Sequence, residues 1–98
     1  MFIVIRKYKV QRGTGPTLTE RVRDGFLPLL RERPGFRGYH LLESGPDVLV
    51  SITMYDNANE ALASSEIAAS WVRDNILEVT RGMPEVMVGN ALVTEVKE

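Results

Sequence analysis

The sequence has no cysteine, one histidine and one tryptophan. The first absence excludes a disulfide framework and any thiolate-bound metal. The second excludes a multi-histidine metal site and leaves a Ser–His–Asp set without support. Charge of one sign is missing too: 12 Lys+Arg against 13 Asp+Glu leave a net charge of -1. That excludes a strongly basic nucleic-acid module and an acidic tail. Long apolar runs are absent. The N-terminal run Met1–Ile5 is too short for a signal-peptide core or a membrane span, so a cytoplasmic location without membrane contact is expected. Gly13-Thr14-Gly15 lacks the spacing and the lysine of a phosphate loop. With 98 residues, 44% hydrophobic and 26% charged, the chain 1–98 reads as a single globular domain with a thin core.

What remains is a clear alternation of patterns. Phe2–Val10 reads as a strand, and its Phe-Ile-Val-Ile start is apolar on both faces, as in a central strand. Thr17 to about Arg33 reads as a helix, with Thr17 and Glu20 in capping-box spacing and Leu18, Val22, Phe26 and Leu29 as its apolar stripe. Pro28 predicts a kink. Phe36–Glu43 and Val48–Tyr55, joined by Ser44-Gly45-Pro46-Asp47, predict a hairpin. In the second of these strands Val48, Val50, Ile52 and Met54 share one parity and read as core. Leu49, Ser51, Thr53 and Tyr55 share the other and suggest a semi-polar neighbour. Asn57 and Glu60 cap a helix from Ala58 to about Val79, with Leu62, Ala69, Val72, Ile76 and Val79 on one stripe. Glu85–Val96 alternates as a last strand.

The order strand, helix, strand, strand, helix, strand predicts an α+β, ferredoxin-like βαββαβ fold. Its antiparallel sheet has the order 4-1-3-2, with both helices on one face. The other face carries Ile3 and Ile5, or Phe2 and Val4, with Leu49, Tyr55, Met87, Ala91 and Val93. So apolar a face is rarely left in water. A homodimer packed through the open sheet face is the expected solution.

Two segments carry a family resemblance: Pro34-Gly35-Phe36-Arg37-Gly38-Tyr39, and Ser51-Ile52-Thr53-Met54-Tyr55-Asp56 running into an Ala-rich helix with a tryptophan. Together they resemble the antibiotic-biosynthesis-monooxygenase-like domains of the dimeric α+β barrel superfamily, over about Phe2–Val96. The resemblance implies a dimer whose pocket lies between the helices and the sheet. It also implies a cofactor-independent monooxygenase of a planar aromatic substrate, or a non-catalytic ligand-binding or stress-associated module. Haem-degrading relatives use a histidine late in the second helix and an asparagine on the first strand. Asp74 and Asn75 stand in the first region and Phe2–Val10 has no asparagine, so a haem-binding or haem-degrading role is disfavoured and no cofactor is expected.

Within that frame Trp71 offers a flat pocket wall and one N–H donor, and Asn75 follows one turn later with an amide for a ligand oxygen. Ala68 lies in a small-residue stretch, Ala61–Ser70, that leaves room for a ligand. Arg6, with Lys7, reaches the pocket mouth and suits an anionic ligand. Tyr55, like Tyr39, offers a phenol donor. His40 is the one side chain suited to proton transfer near neutral pH. Each has a plainer reading as a packing or solvated residue.

Overall fold

The computed structural model describes residues 1–97. Four strands, β1 (Phe2–Lys9), β2 (Phe36–Glu43), β3 (Val48–Tyr55) and β4 (Glu85–Asn90), form one sheet of order β2-β3-β1-β4. Every pairing is antiparallel. Read from the other edge this is the expected 4-1-3-2, with the two most apolar strands in the centre.

The first helix follows a different course from the one the sequence predicts. It starts at Gly15, with Pro16 in the first turn, where a missing N–H costs nothing. The capping box at Thr17 and Glu20 therefore does not form; instead the Thr14 hydroxyl donates to the Gln11 carbonyl at 2.6 Å. Segment α1 (Gly15–Arg21) widens into a π-helical turn, Val22–Phe26, before resuming as α2 (Leu27–Arg31). The Leu27 N–H reaches back five residues to the Val22 carbonyl. Pro28 has no N–H for the Asp24 carbonyl, and its ring would press on it in an ordinary turn. The extra residue in the turn relieves that conflict. It also shifts the phase of the helix. The buried row becomes Leu18, Val22, Phe26 and Leu30, while Leu29, expected in the stripe, is 40% exposed.

Helix α3 (Ala58–Asn75) is capped by the Asn57 side chain, which accepts the Glu60 N–H at 2.9 Å. It ends four residues before the predicted Val79, and Leu77–Val79 forms a 3-10 turn. Its buried row is Ala61, Ser64, Ala68 and Trp71; Leu62 is 69% exposed, and Ala69 also faces out. The expected stripe is thus rotated in the first part of the helix, where the small residues Ala61, Ser64 and Ala68 let the helix axis come close to the sheet; further on Val72, Ile76 and Val79 pack on the core as expected.

The sheet faces are also the reverse of the parity reading. Leu49, Ser51, Thr53 and Tyr55 are buried beneath the helices, and Val48, Val50, Ile52 and Met54 lie on the open face. Register places Phe2, Val4, Arg6 and Tyr8 with the first set, and Ile3, Ile5 and Lys7 with the second. Leu49 and Tyr55 therefore do not belong to the open face. A bulge between Phe36 and Gly38 brings Phe36, Tyr39 and Leu41 to the helix side, separating Phe36 from the parity of His40 and Leu42. Strand β4 stops at Asn90 rather than Val96. Asn90 pairs with Phe2, the first residue of β1, so nothing further along offers a ladder partner. Leu92, Val93 and Val96 are left almost fully exposed.

The π-helical turn makes a direct claim about phase. Leu30→Ala should cost about 2–5 kcal/mol of stability. Leu29→Ala should cost under about 1 kcal/mol, as expected of a surface substitution. Urea unfolding of the two variants checks this, and equal losses would contradict the observed phase.

Candidate functional site

The helices and the sheet enclose a cavity of ≈ 30 Å³. That is room for a water molecule or two, and too little for an aromatic ring system in this conformation. Its floor is β1 and β3, with Arg6, Tyr8, Leu49, Ser51 and Thr53; Tyr39 and Leu41 extend it across β2. Its roof is Leu18, Val22 and Phe26 from the first helix and Ala68, Trp71 and Val72 from α3.

Trp71 is buried and stands in the inward row of α3, not at its edge. Its ring lies 5.1 Å from that of Phe26, tilted by 36°. Phe26 in turn meets Tyr39 edge-on at 5.9 Å. The π-helical turn positions this stack. A Cβ at Gly25 would lie 3.2 Å from the indole Nε1, so the glycine lets the tryptophan seat against the widened turn. Gly25 and Pro28, poor helix residues by propensity, thus act together: one creates the bulge and the other admits the ring.

Three phenols share the covered face. Burial pushes Tyr8, Tyr39 and Tyr55 above the usual tyrosine value, most strongly at Tyr39, and the positive charge of Arg6 opposes the shift in each. Tyr39 and Tyr8 are neutral phenols at neutral pH, able to donate a hydrogen bond to a ligand and unsuited to act as bases. Arg6 is half-buried; its Nη2 donates to Ser65 Oγ at 3.3 Å, and it takes no carboxylate partner among the described residues.

Beside the cavity, between α3 and β4, runs an open groove of ≈ 520 Å³. It shares Arg6, Tyr8, Ala68 and Val72 with the cavity and adds Ser65, Ala69, Met83 and Val86. The groove exists because β4 extends the sheet past the width that α3 covers.

Of the residues singled out in the sequence, the cavity brings together Trp71, Ala68, Arg6 and Tyr39. Tyr55 is buried elsewhere, against Val4 and Ala61 in a second cluster. Asn75 lies on the outside of α3, where its Nδ2 donates to the Trp71 carbonyl at 2.9 Å. His40 is exposed on the open face opposite Ile52, across the sheet from the cavity. Phe26, Tyr8, Ser51 and Thr53 were missed as lining residues. The shared parity of Arg6 and Tyr8 with Val4 was the available signal. It needed only the knowledge of which face the helices cover.

The two resemblance segments meet each other at one end and supply Tyr39, Ser51 and Thr53 to the cavity. The Gly35 carbonyl accepts the Asp56 N–H at 2.8 Å, and the Arg37 Nη2 donates to the Asp56 carboxylate at 3.0 Å. They close one end of the β2–β3 pair. That ion pair holds the Asp56 carboxyl below its usual range.

The raised Tyr39 value predicts a pH dependence. The folded value lies above the unfolded one, so the contribution to stability is complete below the unfolded value, about pH 10, and is lost as pH rises through the folded one. Unfolding midpoints should begin to fall as pH rises past about 10, and fall less in Tyr39→Phe. An identical slope in the variant would contradict the assignment to Tyr39.

Comparison with known proteins agrees with this geometry. Among curated proteins none matches the chain significantly. Among solved structures, a monooxygenase from the ActVA-Orf6 gene of Streptomyces coelicolor, in complex with nanaomycin D, has 16% identity and a TM-score of 0.79, over 99% of this chain and 92% of that one. SnoaB, a cofactor-independent oxygenase from Streptomyces nogalater, has 19% identity and a TM-score of 0.68, covering 95% and 94%. A protein of unknown function from Nitrosomonas europaea has 16% identity and a TM-score of 0.81, covering 99% and 94%. At such identities the likeness is one of fold. The family model for antibiotic biosynthesis monooxygenase matches residues 1–69, from β1 through most of α3 and ending just before Trp71. By that match the chain belongs to the antibiotic biosynthesis monooxygenase family.

Proposed function

We propose that this protein binds a planar aromatic small molecule against Trp71 and oxidises it with dioxygen, as a cofactor-independent monooxygenase. The observation that carries the reading is the Trp71–Phe26–Tyr39 stack over a closed cavity that continues into an open groove. Family membership supports it, as does the likeness in fold to SnoaB, a cofactor-independent oxygenase. The cavity alone is too small, so the ligand enters from the groove and displaces side chains at Ala68 and Val72, which border both.

A cofactor-free reaction requires a substrate that itself gives an electron to dioxygen. For an anthrone-type substrate a ring CH2 becomes C=O. One oxygen atom of O2 forms the new carbonyl, and the other leaves as water with the two methylene hydrogens. The side chains over the sheet supply flat apolar contact, two phenol donors and exclusion of water. Among the described residues the cavity lining contains no carboxylate and no histidine, so the substrate arrives ionised or loses its proton to water. His40, on the opposite face, takes no part in this reading.

With anthrone as probe, Trp71→Phe should lower the rate of oxygen uptake about tenfold by loosening the bound geometry, while His40→Ala leaves it unchanged. Uptake that is the same in wild type and Trp71→Phe sinks the proposal. Saturable binding of anthrone without uptake would favour the second reading, a ligand-binding module without chemistry.

The same reading includes a homodimer through the open face. That face presents Ile3, Ile5, Val50, Ile52, Met54 and, from β4, Met87, all in register. Such a surface is more apolar than a monomer ordinarily leaves in water. Light scattering at micromolar concentration should give the mass of two chains, and Ile52→Lys should give one. A wild-type monomer would refute the interface.

A further inference from the structure

The groove between α3 and β4 has a one-sided charge. Two cations, Arg6 and Arg73, stand on its lining, and among the described residues no Asp or Glu does. The remaining lining is apolar or hydroxylic. Its floor carries Val86 and the inner wall Ala68, Ala69 and Val72, with Leu77, Met83 and Pro84 closing one end. Arg73 is committed outward, to Asp74 and Ser70. Arg6 is not: among the described residues its only side-chain contact of this kind is the neutral Ser65 hydroxyl. It also sits where groove and cavity join, since it borders both.

A half-buried guanidinium without a counter-ion is costly to hold away from water. It repays that cost when an anion completes it, because a planar fork of N–H donors matches a planar oxyanion. The three phenols that share its face cannot serve, since a tyrosine is neutral at neutral pH. The groove volume lies in the range of small-ligand sites.

We infer that the ligand class is an aromatic anion: a planar apolar body lying in the α3–β4 groove, with a carboxylate, phenolate or enolate oxygen held by Arg6 at the cavity mouth. This rests on the small-molecule reading above and specifies its substrate. Arg6 is then a specificity residue. It selects the ionised form of the ligand and fixes which edge of the ring system faces Trp71. The Ser65 hydroxyl, which donates to the Ala61 carbonyl at 3.0 Å, holds the guanidinium in that position.

The test uses the full chain and two probes of one shape, 2-naphthoate and neutral 2-naphthamide, titrated by calorimetry. The acid should bind about tenfold or more tightly than the amide. Arg6→Gln should remove that advantage and leave the amide within about twofold of wild type. Arg6→Lys should restore part of it, which separates loss of charge from loss of fold. An acid that binds no better than the amide, or an Arg6→Gln variant that weakens both alike, overturns the inference and leaves the small-molecule reading standing. Failure of both probes to bind at millimolar concentration removes that reading and the inference together.

Discussion

The whole arrangement depends on which face of the sheet the helices cover. Two helices shield only one side of four strands, and the side they take is the mixed one. Leu49, Ser51, Thr53 and Tyr55 go under cover, and the uniformly aliphatic Val48, Val50, Ile52 and Met54 stay open. By transfer energy alone the opposite choice would win, at about 25 cal/mol for each Å² of apolar area. The mixed face, however, carries an arginine and three tyrosines that need a wall near them to define a site. The aliphatic face needs only another aliphatic face. Under the proposed dimer both requirements are met, and each chain supplies a complete site on its covered side.

Once that face is fixed, the local irregularities become consistent. Small residues at Ala61, Ser64 and Ala68 bring α3 down onto the sheet, and Trp71 is the first large side chain in that row. Something must make room for it. The π-helical turn forced by Pro28 and the missing side chain at Gly25 provide the space. A straight α-helix with alanine at that point would be better by propensity and would press on the indole. Departures from local preference of this kind collect where a site is built.

How much of this was legible in the sequence follows from the kind of signal. Strand order, helix order and the central place of β1 and β3 rest on composition and turn residues, and these were readable. The face assignment was not. Parity sorts residues into two sets but does not say which set meets the helices, and the more apolar set was the natural choice. The phase of the first helix failed for a different reason. Pro28 announces a disturbance, but a kink and a π-helical turn are equally good answers to it, and only the second moves Leu30 into the core. Trp71, Ala68 and Arg6 were recoverable because each is chemically conspicuous: a lone tryptophan, a small-residue stretch, a charge breaking an apolar strand. His40 was conspicuous too, and lies on the far side of the sheet.

The family segments divide between site and register: Tyr39, Ser51 and Thr53 line the cavity, and other members hold the strands together. Gly35, Arg37 and Asp56 stitch the start of β2 to the end of β3 through a backbone hydrogen bond and an ion pair. They fix the register on which the covered face depends, and they touch none of the cavity. The matching stretch ends before Trp71. The match thus spans the scaffold and most of the cavity lining, Arg6 included, while Trp71 lies beyond it. Arg6 is the informative member of that lining. Aromatic walls accept any flat ring, but an unpaired cation at the mouth of the cavity distinguishes one ligand charge from another.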